Sequence, residues 1–366
     1  MIRMTPWSVG ATKNWFIKNE RSVSTAFLIG GFILDTLTLK RIDSLWENLW
    51  IAFHLLVVAV VIVLLHYKEK KVGADKSGTH FWLINILQLF FGGLMSAFLV
   101  FYFRAATLSA TWPFILILVV AILANEFLKK HYARLIFQTS FLFISIFLFA
   151  IFEVPIVLNR IGAPIFIVSG AISLIIISAF FSLLKGVIGP EFKKNRITLR
   201  TAISLIFIVI NVLYFTNLIP PLPLSLKSAG IYHLVTRDDA GNYVAEYEDL
   251  GWEGFFKIYK DFHLAPGSPV YAYSAIFAPS DINLNVVHEW QYLDEESDMW
   301  VDKSRIPLPV VGGRDGGFRT YSVGYDLQSG RWRLNVETQN GQVIGRLFFN
   351  IIHVDEVPAL KNSQNL

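Results

Sequence analysis

Long apolar stretches, broken by short clusters of charge, fill the chain from residue 22 to residue 219. A helix rises 1.5 Å per residue, so crossing ~30 Å of hydrocarbon takes ~20 apolar residues. Stretches of about that length run over 22–39, 46–66, 81–103, 106–124, 132–152, 158–184 and 198–219. They predict an α-helical transmembrane bundle of about seven spans. The first is the shortest and holds Asp35; the sixth is long and holds Pro164. Trp46, Trp50, Trp82 and Trp112 lie near the predicted ends, where interfacial aromatic residues gather.

After residue 219 the pattern changes. Ile219-Pro220-Pro221-Leu222-Pro223-Leu224 cannot continue a helix, and 220–228 reads as a short, stiff, proline-rich linker. Beyond it the hydrophobic period falls to two. Trp332, Leu334 and Val336 alternate with Arg331, Arg333, Asn335 and Glu337, the mark of a half-buried strand. Similar strands fit 270–278, 284–293, 299–310, 318–325 and 343–354. Between them stand Pro279, the acidic run Asp294 to Asp298, Gly312-Gly313, Gly316-Gly317, Ser329-Gly330 and Asn340-Gly341. Asn-Gly between two such strands signals a hairpin. Residues 229–366 are therefore expected to form an all-β antiparallel sandwich or barrel. The aromatic-rich segment 249–264, with Trp252, Phe255, Phe256, Tyr259 and Phe262, admits a helical turn.

Composition agrees with lipid for the first part. The chain is 54% hydrophobic and only 16% charged, against roughly 25% charged in soluble domains. Its net charge of +4 hides two unlike halves. Residues 1–219 hold 20 Lys and Arg against 9 Asp and Glu, whereas residues 220–366 hold 12 against 19. Basic loops beside anionic headgroups explain the first half better than nucleic-acid binding does. With seven spans, Lys and Arg number 16 on one side and four on the other: Lys40, Arg41, Arg104 and Arg160. That ratio puts residues 1–21 in the cytoplasm and, after an odd number of crossings, the C-terminal domain outside. The first apolar stretch ends in no small-residue cleavage site and is expected to stay as an anchor. No cysteine is present, which excludes disulfides, thiolate metal sites and Cys nucleophiles.

Four runs in the second half carry a resemblance. They are Pro269-Val270-Tyr271-Ala272-Tyr273 to Ala278-Pro279 with Val287-His288-Glu289-Trp290; Gly312-Gly313-Arg314 with Gly317-Phe318-Arg319-Thr320-Tyr321-Ser322; Gly330-Arg331-Trp332-Arg333-Leu334; and Gly341-Gln342-Val343-Ile344-Gly345-Arg346 with Phe348-Phe349. Over roughly 265–352 the chain resembles an uncharacterised bacterial family of multi-pass inner-membrane proteins with a C-terminal domain of unknown function. The resemblance implies a bacterial inner-membrane location and an Ig-like periplasmic sandwich. It implies no activity and brings no functional residues.

Candidate chemistry is sparse. Gly312 to Gly317 offers a nest of backbone N–H groups for an anion, with Arg314 and Arg319 assisting, or simply a tight connection between strands. It lacks the Lys-Ser/Thr ending of a phosphate loop. Asp294, Glu295, Glu296, Asp298 and Asp302 lack EF-hand spacing and read as a solvated loop. His288-Glu289 lacks the second His of a zinc-protease motif, and Trp290 on its strand suggests a packed, hydrogen-bonded histidine. No Gly-x-Ser-x-Gly elbow occurs, so neither a catalytic residue, a metal nor a cofactor is expected. Tyr271, Tyr273, Trp300, Tyr321 and Tyr325 are candidates for stacking on sugars or peptides, although aromatic residues also build sandwich cores. Within the spans, Asp35 and His54 form the candidate ligand- or proton-responsive pair, beside outer-end Glu47, Arg104, Glu153 and Arg160; the alternative is interhelical glue. Two functions stay open: a non-enzymatic envelope binding, scaffold or sensor protein with a protein or glycan partner, and a transporter or membrane-embedded enzyme working at Asp35 and His54.

Overall fold

The computed structural model describes residues 30–72, 78–127, 134–239, 242–249, 251, 257–280, 282–314 and 316–364. The basic residues expected in the cytoplasmic N-terminal segment, together with Lys76, Lys129 and Lys130, lie outside them, as do Trp252, Phe255, Phe256 and Asp315. Among the described residues seven helices come first: α1 (30–38), α2 (Leu45–Val72), α3 (Gly78–Ala105), α4 (Leu108–Phe127), α5 (Leu135–Leu158), α6 (Ala163–Ile188) and α7 (Pro190–Phe215). Among the described residues, five (α2, α3, α5, α6 and α7) are long and apolar enough to cross a membrane, and α4 holds a shorter apolar stretch, Ser109–Leu123. Their ends follow local chemistry. Asn159, at φ 52°, closes α5 in the left-handed conformation, and Gly189, at φ 47°, separates α6 from Pro190 at the first position of α7.

Eleven strands follow: β1 (Ser225–Tyr232), β2 (Leu234–Arg237), β3 (Tyr243–Glu248), β4 (Lys260–Leu264), β5 (Val270–Phe277), β6 (Asn283–Asp294), β7 (Met299–Val311), β8 (Phe318–Gly324), β9 (Gly330–Thr338), β10 (Val343–His353) and β11 (Leu360–Gln364). They form three sheets, in the orders β1-β5-β8, β4-β10-β9-β6-β7 and β11-β3-β2. Neighbours run antiparallel except β4 and β10, which are parallel. The first two sheets face one another across a core of Val270, Ala272 and Ile276 against Val286, Trp290, Trp332, Leu334 and Phe349. The third packs Val235, Tyr243 and Ala245 on the other face of β5, against Tyr273 and Ala275. Among the described residues the β region thus has three layers and no closed barrel.

Two segments add to the sequence reading. Residues 260–264 form strand β4, because pairing with β10 satisfies their backbone and buries Phe262 and Leu264; residues 252–256 of the stretch that admits a helical turn lie outside the described residues. Strand β1 begins at Ser225, inside the segment read as linker, and Ile219 to Ser225 are buried.

The chain divides into two compact units. One takes residues up to 101 with 116–150 and 169–209; the other takes 102–115, 151–168 and 210–366. The second unit therefore joins the β region to three stretches of helix end: α3 into α4, α5 into α6, and the exit of α7. Within it, Thr107 Oγ1 donates to the Ile344 carbonyl at 2.8 Å. Ile161 packs against the β core. Phe166 stacks on Tyr214 with ring centroids 3.6 Å apart. The turn between β9 and β10, at Asn340-Gly341, lies against Gly162.

Candidate functional site

On the face of the five-stranded sheet turned away from Trp290 and Trp332, polar side chains stand in ranks across the strands. Pairing sets Arg305, Glu289, Asn335 and Arg346 in one line, and Asp302, Gln291, Arg333 and Phe348 in the next. Alternation along each strand sends these residues to one side. Arg305 pairs with Glu289 and reaches Glu337 at 3.5 Å. Asn335 Nδ2 donates to Glu289 at 2.9 Å and to Gln291 at 3.1 Å, while Arg346 Nε donates to Asn335 Oδ1 at 2.6 Å. Gln291 accepts from Arg333 and donates to Asp302. One connected network thus spans four strands. Its centre is buried, with Asn335 2% exposed and Glu337 5%, while Arg305 and Asp302 on β7 are exposed. Burial first, then the Glu289 carboxylate, push Glu337 up to about 7; burial likewise lowers Arg333 and Arg346.

The far end of this face is aromatic. Trp300 and Phe348 lie 6.2 Å apart, and Tyr259 and Phe348 5.4 Å. The Arg333 guanidinium sits 4.4 Å over Trp300, and that of Arg331 5.3 Å over Tyr259. All three rings are half-buried.

Residues 283–351 match a family described as protein of unknown function (DUF2914). That segment contains the whole polar network and, apart from Tyr259, the aromatic end. No curated protein matches. Solved structures that resemble the chain include a β-glucosidase from Listeria innocua in complex with gluconolactone, at 14% identity over 24% of this chain with a TM-score of 0.18. Another is the alkylpurine DNA glycosylase AlkC of Pseudomonas fluorescens bound to DNA containing an abasic site analog, at 10% identity over 86% of this chain and 98% of that one, with a TM-score of 0.21. This chain spans 14% of the β-glucosidase's length. Scores this low leave both without bearing on fold or activity.

A buried polar triplet joins His288 and Ser322 of the matched segment to Ser274 outside it. His288 is fully buried between the sheets, its Nε2 2.8 Å from Ser274 Oγ and its Nδ1 2.8 Å from Ser322 Oγ, which also accepts from Trp290 Nε1 at 3.1 Å. Burial pushes its pKa down to about 3. No carboxylate touches the ring, so this neutral histidine is a satisfied core residue. Outside the segment, Glu248 accepts from His233 Nε2 at 2.8 Å, His263 Nδ1 at 2.6 Å and the His263 backbone at 2.7 Å. Burial opposes them, but those bonds hold its carboxyl below the usual range. Among the described residues no group of three His, Asp or Glu is placed to hold a metal.

The residues singled out from sequence fall elsewhere. Asp35 is half-buried near Ser96 and interacts electrostatically with His54. His54 donates from Nδ1 to the Trp50 carbonyl at 2.9 Å, and its ring packs onto Gly93, where a Cβ would lie 3.2 Å from it. Glu47 accepts from the backbone of Lys40 at 3.0 Å and of Arg41 at 3.1 Å, closing the turn before α2. In the glycine loop the N–H groups point inward: Gly312 donates to Ile282, Gly313 to Ala278 and Gly317 to Arg314. A Cβ on Gly312 would lie 1.9 Å from the Pro279 carbonyl. These bonds tie the described part of the loop tightly between β7 and β8. Arg314 stacks over Phe318 at 5.2 Å, and half-buried Arg319 accepts through its carbonyl from Tyr243 at 3.1 Å. Of the aromatic candidates, Tyr273 is buried, Trp300 joins the aromatic end, and Tyr325 is 67% exposed. The polar network itself was missed. Its signal was present: charged or amide residues at alternate positions of two strands, Glu289 and Gln291, and Arg333, Asn335 and Glu337.

Proposed function

We propose that the chain is a multi-pass protein of a bacterial inner membrane that holds an exported β-sandwich recognition domain against its outer face, and that it works by binding, as a scaffold or sensor. The observation that carries this reading is the composition of the second unit. Helix ends 102–115, 151–168 and the exit of α7 at 210–219 group with the β region; charge asymmetry assigns all three to the side opposite the basic loops. Lipid accounts for the apolar surface: in α7, 17% of the spanning window is buried, and Trp46 and Trp112 stand 79% and 57% exposed near helix ends. Recognition rests on the polar and aromatic face, whose side chains are fixed by one another. Two facing sheets support the sandwich; an Ig-like strand order is part of the same proposal, modified here by a third layer and the parallel β4–β10 pair. The test is a reporter pair fused behind residue 366, alkaline phosphatase for outside and a fluorescent protein for the cytosol. Phosphatase activity is expected; fluorescence alone would overturn the reading.

The neighbourhood of Asp35, Ser96 and His54 supports a second reading, in which the bundle moves a proton or a small solute. Asp35→Asn with His54→Ala, compared with deletion of residues 225–366 for a growth or transport phenotype, separates the two. Loss with the double substitution and not with the deletion favours transport.

A further inference from the structure

We infer that the aromatic end of the five-stranded sheet, built by Tyr259, Trp300, Arg331, Arg333 and Phe348, is a binding site for a neutral glycan chain. The inference rests on the recognition reading above and names its ligand class. Position comes first. The β9–β10 turn lies against the helix ends through Gly162 and Asn340, and Thr107 holds Ile344. Phe348 and Asn350 follow Ile344 by four and six residues on β10, ~13 Å and ~20 Å along the strand at ~3.3 Å per residue, so the aromatic end is separate from that contact.

Chemistry comes second. Ring faces and edges suit the C–H faces of a pyranose, whose hydroxyls need donors and acceptors together. Both are present beside the rings. Arg331 and Arg333 stack their guanidinium faces on Tyr259 and Trp300, fixing two donor groups without closing them in a carboxylate pair. Asp302 stands in the same rank as Arg333, and Asp261, bonded to Asn350 at 3.1 Å, stands beside the rings on β4. Across the sheet the two arginines of β9 stand between Asp302 on β7 and Asp261 on β4, the latter also paired with Lys257 at 2.9 Å, so charges of both signs nearly cancel, which favours a polyol over an ion of either sign.

An extended peptide is the other obvious occupant, and the sheet edge argues against it. Strand β7 is the outer strand, and it carries Pro307 and Pro309 opposite Val287 and Asn285. Proline has no N–H, so two outward donors that an added strand needs are missing.

The test uses the full-length chain in detergent, titrated by calorimetry with cellohexaose and chitohexaose, and with tetragalacturonate and a polyglutamate peptide for comparison. Saturable binding of a neutral hexamer is expected, weakened at least about tenfold by Trp300→Ala and by Arg331→Ala. Arg331 is exposed, so its replacement leaves the fold intact even if the tryptophan variant does not fold. Tyr325→Ala, on exposed surface elsewhere, should bind as the parent does. The inference is overturned if neither neutral hexamer binds, if binding survives both substitutions, or if only the acidic sugar or the peptide binds. An external reporter at the C-terminus combined with no glycan binding would sink this inference and leave the recognition reading standing. A cytosolic reporter would sink both.

Discussion

Glu337 is pushed up to about 7, first by its burial and then by the Glu289 carboxylate beside it. Between the ordinary carboxylate range and pH 7 the folded chain therefore keeps a proton that the unfolded chain has lost. Its contribution is complete at acid pH and is lost as pH rises through that window, at about 1 kcal/mol per pH unit, levelling above it. Glu337→Gln keeps the shape without the titration. Thermal midpoints of the detergent-solubilised chain between pH 4.5 and 7.5 should lose that slope in the variant; an unchanged slope would assign it to another group. His288 works in the opposite sense. Burial pushes it down to about 3, so below its ordinary value of 6.5 the unfolded chain takes up a proton that the folded chain refuses. Its contribution is present above pH 6.5 and lost as pH falls toward 3. His288→Asn should flatten that acid limb while costing about 1–3 kcal/mol at neutral pH, where Ser274 and Ser322 lose their partner.

Among the elements, the strands legible in sequence were those with one buried face. Residues 270–278, 284–293, 299–310, 318–325 and 343–354 were expected, and β5, β6, β7, β8 and β10 occupy those places within a residue or so. The Asn340-Gly341 turn followed from its dipeptide, with Gly341 at φ 78°. Strands β1, β2, β3, β4 and β11 were not legible: β1, β4 and β11 pair with strands distant in sequence, β1 shows mostly intermediate burial with no alternation, and the β2–β3 hairpin is built on a strand of only four residues. Period two told which residues share a face; it could not tell that the polar face would also be buried. That needs the neighbouring strand, since Glu289 and Asn335 shield one another only when paired. Packing sets the cost of errors here. Trp290→Ala, at a fully buried site facing Phe349 with ring centroids 6.1 Å apart, should cost about 3–5 kcal/mol in thermal unfolding. Gly312→Ala, driven into the Pro279 carbonyl, should destabilise the β7–β8 connection measurably, whereas Gly316→Ala, with open space around it, should not.

At the scale of the whole molecule, the absence of cysteine turns compartment into a measurable property. The helix connection at Gly162 and the hairpin at Asn340 belong to one compact unit, and a Cβ on Gly162 would lie 3.2 Å from the Asn340 amide. The 3.2 Å is to the tip of the Asn340 side chain and a disulfide needs the two Cβ atoms about 3.5–4.5 Å apart, so the pair Gly162→Cys and Asn340→Cys closes only if the hairpin tip shifts inward, with about 1–2 kcal/mol of backbone strain because Gly162 sits at φ 110°. An oxidising compartment closes such a bond unaided and a reducing one keeps it open. If the β region faces outward, the double variant should migrate as a cross-linked species when cells are lysed with a thiol-blocking reagent and no oxidant, and each single variant should not. Cross-linking only after added oxidant would keep the contact and reverse the orientation. No cross-link under either condition would separate the hairpin from the helix ends.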